Sequence, residues 1–175
     1  MQKKQSRFVR IFVIIFLGLT SGCWVNTPNQ PCNALNLAEP IRSGTHGRAS
    51  QTDATATWIS DPEALQQIFS AIDRYHLGND DNLAPEIDWS CYGVLFIEMG
   101  QKSTGGYSID FSPSLSRVVD KQAVIHISWN TPEEGVLLTQ TVTSPFLLLK
   151  IYRADITSIV VLNQDEQPLF NIPIE

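Results

Sequence analysis

The chain is short of positive charge. Twelve lysines and arginines stand against eighteen aspartates and glutamates among 175 residues. Four of the twelve, Lys3, Lys4, Arg7 and Arg10, fall within residues 1–22, which hold no acid. Past residue 22 the balance is eight against eighteen, a formal charge of −10. Such a surface argues against nucleic acid, whose phosphates need a basic face, and against adhesion to anionic headgroups by charge. The patterns of small enzymes are missing as well. There is no glycine-rich phosphate loop, no His-Glu-x-x-His, no Cys-x-x-Cys and no Gly-x-Ser-x-Gly elbow. The three histidines, His46, His76 and His126, are far apart in sequence. His46 sits in the polar turn Ser43-Gly44-Thr45-His46-Gly47. His76 follows Asp73 by three residues and shares a helix face with it, but two ligands do not make a metal site. His126 falls on the polar side of an alternating strand and reads as solvated. Cys91 follows Glu86, Ile87, Asp88 and Trp89, a setting that disfavours the thiolate a catalytic cysteine needs. No metal, no cofactor and no enzymatic activity are expected.

What is present begins at the N-terminus. The four basic residues precede an apolar run over 11–19, and small residues lead into Cys23 through Leu19-Thr20-Ser21-Gly22. The run is well short of the roughly 20 residues a membrane-spanning helix needs, and the order of regions fits a secretory signal. It resembles a bacterial lipoprotein signal, in which the chain is cut before the cysteine and the sulfur carries acyl chains such as palmitate. Thr20 departs from that pattern, which commonly has Leu three places before the cysteine. The plain alternative is an ordinary cleaved signal with an incidental cysteine. Two or more acyl chains anchor a protein stably where one does not. The resemblance therefore implies a membrane-anchored envelope lipoprotein facing the periplasm or the exterior. In a cell with two membranes, Trp24, standing where Asp favours inner-membrane retention, implies the outer membrane.

Residues 1–22 thus read as signal, 23–40 as a tether and 41–175 as one folded domain. The tether is polar, carries Pro28, Pro31 and Pro40, and reaches roughly 25 Å as a flexible coil. Outside the cytosol cysteines can pair. Cys32 and Cys91 remain as an even couple once Cys23 is lipidated. They form either a bridge or two unrelated thiols.

Within the domain, residues 54–59 lean towards a strand. Ser60-Asp61-Pro62-Glu63 offers a capping box of Ser60 and Glu63 with Pro62 in the first turn. Leu65, Ile68, Phe69 and Ile72 recur at helical spacing, a stripe that faces a core. Gly78 and the Asn/Asp cluster after it end the helix. The rest reads as strands. Residues 92–99 are almost continuously apolar, hence buried on both faces. Tyr107, Ile109 and Phe111 alternate with polar residues, as do Ala123, Ile125, Ile127 and Trp129. Further strands are expected over 137–143, 146–153 and 158–162. Asn163-Gln164-Asp165-Glu166 makes a turn before a short edge strand at 169–172. The expected class is α+β: one helix packed on a mostly antiparallel sheet, or on a curled sheet approaching a barrel.

Two strings exceed what a plain sheet requires. Thr104-Gly105-Gly106-Tyr107 carries adjacent glycines, which allow positive φ or close approach of another backbone. Pro145-Phe146 starts an aliphatic strand after Thr143-Ser144. They are either turns or a rigid surface offering backbone donors and an aromatic ring to a partner. The ordered set adds Pro85-Glu86-Ile87-Asp88-Trp89, the Ser/Gly-containing opening at 43–50 and the apolar strand ending at Gly100. In this combination the chain resembles, over about 41–162, the C-terminal domain of the PrcB family, whose members belong to protease complexes. Trp89 stands where that family commonly has Phe. The resemblance implies an envelope accessory protein that assists or stabilises a secreted protease complex, its partner bound through Thr104, Gly105, Gly106, Tyr107, Pro145 and Phe146. Residues 103–107 with 147–153 are also similar to chagasin-like protease inhibitors, although a helix after Asp61 fits that all-β fold poorly. A purely structural envelope lipoprotein is the third reading. Metabolic labelling with a clickable fatty acid tests the anchor: wild type takes up label, and Cys23→Ala takes up none. Equal labelling of both would refute it.

Overall fold

The computed structural model describes residues 32, 35–48, 51–72, 83–153 and 155–174. Cys23, the expected signal over 1–22, His76 and the expected helix stop at Gly78 lie outside the described residues. The elements in chain order are β1 (Ala38–Gly44), β2 (Thr55–Ile59), α1 (Pro62–Ile72), β3 (Tyr92–Glu98), β4 (Ser108–Phe111), β5 (Arg117–Val119), β6 (Gln122–Asn130), β7 (Phe146–Tyr152), β8 (Ser158–Leu162) and β9 (Pro168–Pro173).

The apolar runs of β3 and β7 set the architecture. A strand's side chains alternate between faces, so a run without polar interruption needs cover on both. β3 and β7 pair antiparallel at the centre of a four-stranded sheet ordered β1-β7-β3-β2. Leu95 and Ile97 of β3, with Leu147, Leu149 and Ile151 of β7, pack against Ile109, Ile125, Ile127, Ile159 and Val161 of the second sheet. Val94, Phe96, Phe146 and Leu148, on the opposite face, pack against Leu65, Ile68, Phe69 and Ile72 of α1. The layers are helix, sheet, sheet. The protein is mostly β with one short helix among the described residues, and the expected single curled sheet is instead two open sheets.

The second sheet is ordered β4-β6-β8-β9, with β5 also on β6. It is mixed, because β6 and β8 run parallel. Between them the chain crosses to the first sheet as β7 and returns, a connection long enough to restore the direction that a hairpin reverses. Asp120 and Lys121, at φ 48° and 65°, make the tight turn from β5 to β6. The expected turn at 163–166 is held by Asn163, whose Oδ1 accepts from the amides of Asp165 (3.0 Å) and Gln167 (2.8 Å). β9 returns along β8 as the expected edge strand.

Three expectations are corrected. Asp61, not Ser60, caps the helix: its Oδ1 accepts from the Ala64 amide at 2.8 Å. Pro62 is the first helical residue, a position its fixed φ suits, which makes the residue before it the cap. Residues 137–143 form no strand. The folded unit starts at Cys32, not at Ile41, so the tether is shorter than 23–40. β1 pairs with β7 from Ala38↔Ile151 onward, and the Tyr152 amide reaches the Leu37 carbonyl at 2.8 Å. Pro40 is tolerated there because β1 is an edge strand with a register shift beside it.

Cys32 and Cys91 are joined by a disulfide across 59 residues, with Cα atoms 5.5 Å apart. The Tyr152 hydroxyl donates to the Cys32 carbonyl at 3.3 Å. The bridge ties the segment before β1 to the start of β3. Closing a loop of that length restricts the unfolded chain by about 4 kcal/mol. Replacing both cysteines by serine is therefore expected to lower the urea unfolding free energy by about that amount. Unchanged stability would show that the bridge contributes nothing.

Candidate functional site

Topology gathers three strings at one end of the first sheet. β7 lies between β1 and β3 and runs antiparallel to both. The residues leaving β1 and β3 therefore meet the residues entering β7. Backbone bonds join them: Ser144 N to Thr45 O (2.7 Å), Gly47 N to Ser144 O (2.6 Å) and Met99 N to Pro145 O (2.9 Å). Lys102 and Thr143 exchange amide bonds in both directions, at 2.8 and 2.9 Å. Further out, Gly105 N donates to Thr139 O at 3.0 Å, and the Thr143 hydroxyl donates to Thr104 O at 2.9 Å.

A buried ion pair fixes the first string. Glu98, at the end of β3, is 1% exposed. Its carboxylate accepts from Arg48 through the backbone amide (3.2 Å), Nε (2.8 Å) and Nη2. The Arg48 guanidinium lies over the Phe96 ring, 5.2 Å from its centroid. A two-pronged pair of this kind is geometrically specific, and it holds residues 45–48 against the sheet. Between the strings is a cleft of about 330 Å³ whose wall includes His46, Gly47, Gln101 and residues 141–144. Val142 on that wall is 60% exposed.

The two strings singled out in the sequence do come together, in different roles. Gly105 is the close-approach glycine: a Cβ there would stand 2.5 Å from Thr139 Oγ1. Gly106 takes positive φ, 88°, and is exposed. Thr104 and Tyr107 are half-buried, with Lys102 Nζ 5.8 Å from the Tyr107 ring centroid. Pro145 and Phe146 are buried, Phe146 to 3% exposure. The Phe146 ring sits 6.2 Å from that of Phe96 in the helix-side core. It therefore offers nothing to a partner, which corrects the expected role of both residues: the strand phase that starts at Phe146 turns its ring inward. The surface at this end belongs instead to Val142, Gln101 and His46. Sequence reasoning missed these because the threonine- and valine-rich stretch 137–143 reads as a strand.

His126 corrects a second expectation. It is 4% exposed, and its Nε2 has no hydrogen-bond partner among the described residues. β6 lies inside its sheet, and residues 112–116 fold back on it: the Ser116 hydroxyl accepts from the His126 amide at 3.0 Å, and the Ser112 amide donates to the His126 carbonyl at 2.9 Å. Among the described residues no group of three or more His, Cys, Asp or Glu is placed to hold a metal ion. A second hollow, of about 490 Å³, lies between α1 and the Pro85-Trp89 string, with Glu63 and Glu86 on its rim.

Residues 94–152 match the PrcB C-terminal family. The match runs from β3 to the end of β7, so it holds the doubly buried strand pair, Glu98, and both strings at the cleft. It leaves out α1, β1, β2, β8 and β9, and with them Arg48, His46 and Gly47. No curated protein and no solved structure matches the chain.

The ion pair gives an asymmetric prediction. Arg48→Ala strands a buried carboxylate and should cost about 3–5 kcal/mol. Glu98→Ala leaves a guanidinium that already reaches water, and should cost roughly half as much or less. Chemical denaturation of the two variants decides it, and equal costs would argue against the pair as the clamp.

Proposed function

We propose that this chain is a non-enzymatic binding module of the cell envelope, held on the membrane through acyl chains on Cys23, that assists or stabilises a protease complex. One observation carries the binding reading: the segment matching the PrcB C-terminal family contains the joined strings 99–107 and 139–145, which wall a cleft and leave an aliphatic side chain, Val142, in solvent. Clefts of this kind with apolar and backbone-polar walls are where partners bind, and exposed aliphatic residues beside them extend the contact. The acidic balance past residue 22 favours a protein partner over nucleic acid. Anchoring fits the basic, apolar and small-residue order before Cys23, and the outer membrane is the proposed site in cells with two.

The inhibitor alternative loses its footing in 147–153, because that strand is largely buried at the centre of the first sheet. A purely structural lipoprotein would need no cleft. Crosslinking in intact cells, followed by isolation of the chain from membranes, is expected to recover a discrete envelope protein. Deleting the chain is expected to lower that protein's steady-state amount several-fold. Recovery of no discrete partner, or an unchanged amount after deletion, would refute the accessory role.

A further inference from the structure

The loop between β6 and β7 carries an unusual tip. Glu133-Glu134-Gly135-Val136-Leu137 is exposed throughout, and Leu137 is 100% exposed. A single exposed leucine means little. Here, however, Val136 is exposed beside it, Val142 is exposed in the same loop, and Val142 also lines the cleft. Together they make an apolar patch rimmed by two carboxylates.

The tip is also held. A Cβ on Gly106 would meet Leu138 Cδ2 at 3.0 Å and Pro132 Cβ at 3.1 Å. Both feet of the tip, Pro132 before it and Leu138 after it, therefore sit on Gly106. The Gly105 amide then fixes Thr139 through its carbonyl at 3.0 Å. A seated loop loses less freedom on binding than a loose one. This gives Gly105-Gly106 a purpose that a plain turn does not need: it is the seat from which the tip projects.

We propose that this tip is the contact surface of the module: Val136 and Leu137 enter an apolar pocket on a protein partner, and Glu133 and Glu134 meet lysine or arginine on the pocket's rim. The proposal rests on the binding-module reading above and adds the partner's chemistry. The acidic pair selects the occupant. Glu133 and Glu134 have no ion-pair partner among the described residues, and the chain past residue 22 carries a formal charge of −10. A basic-rimmed pocket is complementary to that field, which speeds encounter and fixes orientation. An anionic bilayer is repelled by it. A second copy of the same acidic tip is repelled as well.

The test uses the full-length chain in its own membranes, with a photoreactive diazirine amino acid at position 137 and, separately, at 142. The supporting result is a crosslink from 137 to one protein other than this chain, at a peptide with apolar residues and a nearby Lys or Arg. Capture of that protein by the chain should then fall by roughly tenfold or more in both Leu137→Asp and Glu133→Lys/Glu134→Lys. Val118→Asp, an exposed aliphatic site on β5 in the other sheet, should leave capture unchanged. Full capture by Leu137→Asp, with the crosslink from 142 retained, overturns the tip while the binding-module reading stands. Crosslinks from 137 only to lipid, or only to another copy of the chain, overturn the proposed occupant. No protein crosslink from either position overturns both readings. Leu137 is wholly exposed, so Leu137→Asp is expected to keep the wild-type thermal midpoint.

Discussion

β7 is flanked by β1 and β3 and packed on both faces, and most of what the molecule presents follows from where that strand sits. Its odd-numbered residues Leu147, Leu149 and Ile151 belong to the core between the sheets, and Phe146 and Leu148 to the core under α1. Packing on both sides at interior density leaves little freedom to shift register, because a one-residue slip would exchange the two cores. The same constraint places the exit of β1, the exit of β3 and the entry of β7 at one end, and so builds the cleft. The site is a consequence of strand order before it is a consequence of any one residue.

On that frame the three strings are fastened by different means. Glu98 and Arg48 clamp the first through a carboxylate that is itself buried, and a buried charge is tolerated only when so fully partnered. Lys102 and Thr143 join the other two by paired amide bonds, extending the sheet's ladder past the named strands. Gly105 and Gly106 then admit Thr139, Leu138 and Pro132 at distances that a side chain would block. The rigidity of this end comes from backbone pairing and close packing, while the groups left facing solvent are few: Val142 on the cleft wall and the acidic-aliphatic tip beyond it.

Several of these features were legible in the residues. The unbroken apolar run at 92–99 called for a strand covered on both faces, and β3 is one. The spacing of Leu65, Ile68, Phe69 and Ile72 marked the buried stripe of α1, and the alternation around Ile109 marked β4. Other features were not legible, for identifiable reasons. Val, Thr and Leu at 137–143 favour a strand by local preference, but no neighbouring strand is available at that end of the sheet, and local preference yields to pairing. His126 sits at a polar position of an alternating pattern, but residues 112–116 cover that position from a distance the pattern does not encode.

The chain by itself determined its periodicities, its acidic balance, the cleavable-signal pattern before Cys23 and the need for glycine at 105 and 106, because each of these is a local property of neighbouring residues. Only the tertiary structure decided that there are two open sheets, that Phe146 faces the helix rather than a partner, and that Cys32 reaches Cys91. It also decided that Pro132 and Leu138 close on Gly106. Those outcomes depend on which face of a strand meets which layer, and that choice is made by burial across long sequence separations, which no short window of residues contains.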